Sequence, residues 1–341
     1  MQKRKNLFLY FLLALVTVIW GLGFVFTKQV LPYVSPSLLN VLRFSVAALI
    51  TFIIFFKQVV KLNIKQCLSG VLAGMLIVFS FGCQTYSMVY TSATNTSLMT
   101  GLYVVMVPFF IWAAHKKRPP IRAFVAGFLG FASIACLAFG GLSKLNFGDL
   151  LAFFCAVGFA VHYLVLDKAT KSTPAGALTF VQMLTAAVLF FVVGFIIDGK
   201  AMLNCSFPKS IILPLFTLCV LNTAFAYIVQ TRAQKTIDAS KVSLVLSFES
   251  TLGAVFAVIL GGDKFTWYLA LSIIGMTAAI LIAEWPTKKQ KPSLPDVEGR
   301  GRACLHSTFS RRERRRAKPR STARTAPRRS SGGPRRPQRS A

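Results

Sequence analysis

A chain of 341 residues that is 55% hydrophobic and has only 10 acidic side chains cannot cover itself with the mixed charged surface of a soluble domain. Its formal charge of +29 would ordinarily point to nucleic acid, yet 18 of the 39 basic side chains follow Trp285 and nearly all the others sit between apolar runs. The charge therefore divides into a basic tail and a topology signal, and no specific nucleic-acid partner is expected.

Residues 7–285 hold ten apolar segments, at 7–27, 37–56, 67–90, 93–113, 121–142, 148–167, 175–197, 210–233, 240–261 and 265–285. Most reach the length of about 20 residues at which a helix rising 1.5 Å per residue crosses about 30 Å of hydrocarbon. Period-two alternation is absent, so helices rather than barrel strands satisfy the backbone in lipid. The first segment runs through Phe26-Thr27-Lys28 without a small-residue cleavage pattern, and is expected to stay as a span. With the amino terminus in the cytoplasm, 18 basic residues fall inside and only Lys28, Lys144, Lys200, Lys209 and Lys264 outside. A multi-pass protein of the cell membrane with both termini cytoplasmic is expected.

In chain order, Trp20 lies about 20 Å along the first segment by rise per residue. That depth suits either an outer aromatic belt or a cavity wall, which Gly21 and Gly23 would open by letting backbones approach. Arg43, in the second segment just below the outer surface, is expected to snorkel to the headgroups, with a salt bridge to a gating acid as the alternative. Gly70 and Gly74 form a small-xxx-small packing face. Gln84 follows in the outer half of the third segment, then Asn95 at the turn, Tyr103 near mid-membrane and Pro108, which is expected to kink the fourth helix. Trp20, Tyr103, Tyr163 and Asn222 fall at comparable depths, and aromatic walls with one amide make them the expected substrate site. Helix packing is the plain alternative for each. Arg43, Gln84 and Pro108 are read as gating or structural residues.

The stretch from Phe81 to Phe110 returns 146 residues later as Tyr227 to Phe256. Gln84-Thr85 aligns with Gln230-Thr231, Ala93 with Ala239, Ser97-Leu98 with Ser243-Leu244, and Phe110 with Phe256. Each copy ends one apolar segment, turns through a short polar stretch and opens the next. Because five segments precede the second set, that set enters the membrane inverted. The expected fold is all-α: ten transmembrane helices as two inverted five-helix repeats, at residues 1–142 and 143–291. The same offset lays Glu249 on Tyr103. A charge at mid-membrane costs about 2.5–3.5 kcal/mol, so Glu249 is expected to face the interior and to find a cation or take up a proton. His162, at a similar depth, either shares that proton, letting an inward proton gradient drive an outward substrate, or bonds a backbone carbonyl. For Glu249 the alternative is a structural bond to a helix-end amide, a Tyr or a Ser.

Trp20-Gly21 with Phe24 and Lys28, Arg43-Phe44, Pro108 and the mid-helix Glu249 together make residues 7–285 resemble the EamA-like members of the drug/metabolite transporter superfamily. The resemblance implies a secondary transporter working by alternating access, with a substrate path between helices one, three, four, six, eight and nine. It also implies export of amino acids or related small metabolites, with multidrug and vitamin- or nucleotide-type carriers as alternatives. Ser250 stands where the family often has proline after the ninth-helix glutamate.

Loops of no more than about a dozen residues leave no room for a soluble catalytic domain, and no GxxxxGK[ST] phosphate loop occurs. Without a CxxC or a His/Cys cluster, neither a metal site nor a disulfide framework is expected from the seven cysteines. A transporter without cofactor is therefore expected rather than an enzyme, with the lipid bilayer, a small-molecule substrate and protons as partners; a homodimer is compatible with this. An intramembrane enzyme built on His162, Glu249 and Arg43 is the competing class, and a channel or scaffold another. Beyond Lys291 the basic residues change from mostly Lys to 14 Arg and one Lys among Pro, Ser and Gly. Residues 292–341 cannot bury a core and are expected to be disordered, either holding anionic lipid or RNA or foreign to the fold.

Overall fold

Polar residues at the edges of the apolar runs set where helices begin. Ser35 accepts from Leu38 N at 3.3 Å with Pro36 in the first turn. Asn63 and Gln66 exchange side chain to backbone bonds at 3.0 and 3.2 Å, and Asn146 and Asp149 do so at 3.1 and 3.0 Å. The computed structural model describes residues 2–116, 118–139, 146–237 and 239–283, all within one compact unit, Met1–Trp285. The Arg-rich segment 292–341 lies outside the described residues.

Twelve α-helices follow in order among the described residues: α1 (Gln2–Val30), α2 (Pro36–Val59), α3 (Ile64–Tyr90), α4 (Ala93–Thr100), α5 (Leu102–His115), α6 (Ile121–Phe139), α7 (Phe147–Ser172), α8 (Ala175–Ile197), α9 (Lys209–Phe216), α10 (Ala226–Gln234), α11 (Ala239–Ile259) and α12 (Trp267–Ala283). A π-helical segment, Thr217–Phe225, joins α9 to α10 in one continuous span. Eight spans are long and apolar enough to cross a membrane, with α4–α5 and α9–α10 each making up one of them. The remaining two apolar helices, Ile121–Cys136 and Trp267–Ala283, are shorter than the other eight. Large apolar side chains such as Phe128 and Ile196, 78% and 77% exposed, cover the outside, as a lipid solvent permits.

The closest helix pairs join the two halves of the chain: α2 with α8, α3 with α7, α6 with α12 and α1 with α11. The core therefore sits between the halves, and polar groups gather there because lipid offers them no partner. The interruption expected at Pro108 falls earlier, at Gly101, while α5 runs through the proline. There the bonding pattern tightens, with Val104 N reaching back only three residues to Gly101 O at 3.3 Å. Glycine, a weak helix former, marks the change.

Gly70 and Gly74 face Val181 and Thr185 of α8. Gly74→Ala would put a Cβ 2.6 Å from Thr185 Cβ and 2.9 Å from Gln182 O. We expect that variant to lose about 1–3 kcal/mol, read as a lower thermal midpoint in detergent. Gly82→Ala, whose nearest contact would be Phe190 at 3.7 Å, is expected to leave the midpoint unchanged.

Candidate functional site

Arg43 anchors the interior. It is 2% exposed and points inward from α2: Nη2 donates to Asn222 Oδ1 at 2.6 Å, Nε to Thr223 Oγ1 at 3.1 Å, and the guanidinium lies 4.7 Å from the Phe81 ring centre. The expected snorkelling to the headgroups does not occur, because acceptors and an aromatic face inside the bundle replace those at the interface. Nor does Arg43 pair with an acid; the ion pair among the described residues is Lys171–Asp167.

The π-helical turn makes this possible. Its wider ring pairs N–H groups five residues back, and Thr223 Oγ1 likewise donates to Leu218 O at 2.7 Å. Asn222 O accepts from Trp20 Nε1 at 2.8 Å, and Asn222 Nδ2 donates to Ile19 O at 2.9 Å. α1 can come this close only because position 23 is glycine: a Cβ there would overlap the Asn222 amide. Asn222 thus lies at the expected depth, but its amide is engaged by Arg43 and α1, which gives it a positioning role.

Around this clamp lies a cavity of about 450 Å³. Trp20, Tyr103, Tyr163 and Asn222 all line it, as do Arg43, Gln84 and Glu249. The structure adds Gly23, Phe24, Thr27, Phe81, Met88, Phe159, Tyr227 and Gln230 to the lining. Tyr103 stacks on Tyr163 with ring centres 5.2 Å apart, and Trp20 meets Tyr227 at 5.7 Å. Pro108 lies in α5 outside the lining.

Three pairs of positions related by the 146-residue offset converge here: Phe81 with Tyr227, Gln84 with Gln230, and Tyr103 with Glu249. The Phe81 and Tyr227 rings are 6.1 Å apart. Gln230 and Tyr227 were therefore readable from the repeat once Phe81 and Gln84 had been noticed, whereas Phe159, Thr27 and Met88 carry no sequence signal. Three lining groups lack a partner among the described residues, the first being the buried Tyr103 hydroxyl. Gln230 Oε1 is buried without a hydrogen bond, and Glu249, 6% exposed, has no hydrogen bond or ion pair among the described residues.

His162 is not joined to Glu249. It stands behind the lining, its ring centre 6.4 Å from Tyr163 and 6.2 Å from Tyr227. Nε2 bonds Gln182 Oε1 at 3.2 Å, and Gln182 Nε2 donates to Thr231 Oγ1 at 3.2 Å. The first half holds a matching bond, from Asn40 Nδ2 to Thr85 Oγ1 at 3.1 Å, without a histidine.

Lysine cannot grip both Asn222 and Thr223 while lying flat on a ring. Arg43→Lys is expected to lower the thermal midpoint, at a cost of about 1–3 kcal/mol for the buried acceptors it leaves unpaired. Combined with Thr223→Val, the loss should fall short of the sum of the single losses by about 0.5–3 kcal/mol. Additive losses in detergent would show that the two side chains act independently.

The sequence matches the EamA-like transporter family over residues 7–139 and again over 146–285. A protein of Archaeoglobus fulgidus described as an uncharacterized transporter is 28% identical over 262 residues, covering 74% of this chain and 78% of its own. The Bacillus subtilis uncharacterized transporter YvbV is 23% identical over 285 residues, covering 82% and 92%. A protein of known crystal structure superposes with a TM-score of 0.60 at 14% identity, covering 82% of this chain and 97% of its own, a likeness of fold alone. With both halves matched, this all-helical, multi-pass chain belongs to the EamA-like transporter family.

Proposed function

We propose that the protein is a secondary transporter of the cell membrane that exports amino acids or related small metabolites by alternating access, with the central cavity as its substrate site. One observation carries this: side chains from equivalent positions of the two sequence repeats line a single cavity in which the Tyr103 hydroxyl, the Gln230 oxygen and the Glu249 carboxyl lack partners among the described residues. Buried polar groups are ordinarily satisfied, and a bound ligand supplies what these lack. Alternating access requires the halves to move against each other around this cavity, so that it opens to one side of the membrane and then to the other.

The same reading makes the ten apolar helices two inverted five-helix repeats, at residues 1–142 and 143–291, with residues 292–341 as an appended tail. Support comes from the two separate family matches, from the pairing of α2 with α8 and α6 with α12, and from the equivalent Asn40–Thr85 and Gln182–Thr231 bonds. The distribution of basic residues supports cytoplasmic termini. Glu249 is the coupling group, alternating between a proton and the substrate's donor, while His162 holds Gln182 and Thr231 behind the cavity wall.

Reconstituted into proteoliposomes and screened against amino acids and related metabolites, the protein should concentrate its substrate when a proton gradient is imposed. Glu249→Gln should abolish that accumulation, flatten its pH dependence and leave exchange across the membrane measurable. Accumulation with an unaltered pH profile in the variant would make the carboxyl structural and the mechanism facilitated diffusion. Removing residues 292–341 should leave transport per protein intact; its loss at equal membrane level would give the tail a function.

A further inference from the structure

A second cavity begins where the central one ends, and the boundary falls between consecutive residues on two helices. Thr27 and Met88 line the central cavity, and Lys28 and Val89 line the second. The second is larger, about 990 Å³, and is lined besides by the α3–α4 turn, Asn146, and Asp263 and Lys264 between α11 and α12. Lys28 stands at this boundary, where its Nζ donates to Met88 O at 2.6 Å and to Thr91 O at 2.9 Å.

Both acceptors are neutral. Asp263 shares the cavity but directs Oδ2 to Thr94 N at 3.0 Å and accepts from Thr94 Oγ1 at 2.6 Å. Arg43, in the central cavity, is likewise held by neutral groups, and Glu249 forms an ion pair with neither cation among the described residues. Arg43 in the central cavity and Lys28 in the second thus each hydrogen-bond to neutral groups, with Asp263 near enough to attract Lys28 without bonding it. Hydrogen bonds between charged partners are roughly twice as strong as neutral ones, so an anion entering the second cavity competes well for Lys28 Nζ.

We propose that the second cavity is an access site for a small ligand carrying a carboxylate-type anionic group, and that Lys28 is both its anchor and the partition between the two cavities. An anion that draws Nζ off Met88 O opens the passage to the central cavity, where Arg43 receives the same group. The inference rests on reading the central cavity as the substrate site, but it is tested without transport.

Met88→Cys and Thr27→Cys each place a thiol behind the partition. The purified full-length variants are treated in non-ionic detergent without phospholipid, so that no lipid headgroup supplies the anion. Two methanethiosulfonates of similar size serve as probes, one bearing a sulfonate and one a trimethylammonium group, and peptide mass spectrometry reads modification at residue 88 or 27 itself. With Lys28 present, the sulfonate reagent should react faster by on the order of tenfold. That preference should vanish in Lys28→Gln, persist in Lys28→Arg and grow in Asp263→Asn. Equal rates for both reagents with Lys28 in place, a preference that survives Lys28→Gln, or thiols untouched by either reagent in both reporters would overturn the proposal. A failure of proton-driven accumulation would leave these rates unchanged, so the two ideas stand or fall separately.

Discussion

The guanidinium of Arg43 is a full charge placed where neither bulk water nor lipid headgroups reach it, and much of the interior follows from how it is satisfied. Moving a bare charge into such a place is prohibitive, so the bundle must bring dipoles to it. The Asn222 amide, the Thr223 hydroxyl and the face of Phe81 do this from two other spans. Asn222 then passes the constraint to α1 through Trp20 and Ile19. One charge thereby sets the spacing of α1, α2, α3 and the π-helical turn around the cavity. The turn is part of the solution, because its register presents Asn222 and Thr223 side by side toward α2.

Similarity between the two halves shows where chemistry is shared, and departures show where it is not. Gln84 and Gln230 keep the same amide, Phe81 and Tyr227 keep an aromatic ring, but Tyr103 faces the cavity from one half where Glu249 does from the other. The Asn40–Thr85 and Gln182–Thr231 bonds repeat a link between helices, while His162 attaches to only one of them. The lining is thus asymmetric in charge, with Arg43 contributed by the first half of the chain and Glu249 by the second. Glu249 is the one carboxyl among the lining residues, and the arginine's charge is already held by neutral groups.

Polar ties also gather at one end of the bundle. Lys28 caps carbonyls at the end of α3, Asp149 accepts from Thr91 at 2.8 Å and from Asn95 at 3.2 Å, and Asp263 holds Thr94. Asp198 accepts from Ser37 N at 3.1 Å and from the Tyr86 hydroxyl. Each carboxylate thus binds backbone amides, hydroxyls or side-chain amides at helix ends, where unpaired backbone groups need partners. At the opposite end the links are side chain to backbone or hydroxyl contacts, such as Gln66 to Ser172 O at 2.8 Å and Ser69 to Thr173 at 3.4 Å. Charged side chains thus join helix ends at one end of the bundle and neutral contacts do so at the other.

Membrane-spanning helices, their number to within two short ones, and the grouping of Trp20, Tyr103, Tyr163 and Asn222 at comparable depth were legible in the sequence alone. Runs of about 20 apolar residues admit one solution in lipid, and rise per residue converts position into depth. The repeat likewise named the equivalent positions that meet at the cavity. Depth, however, says nothing about azimuth, and only the tertiary structure decided which way Arg43 turns, that the Asn222 amide is spent on Arg43 and α1, and that His162 stands behind the wall rather than beside Glu249. The break at Gly101, the π-helical turn after Pro214 and the bonds of Lys28 to the end of α3 were equally invisible. Each depends on hydrogen bonds to groups tens to hundreds of residues away or on a one-residue change of helical register, and neither leaves a periodic trace in the chain.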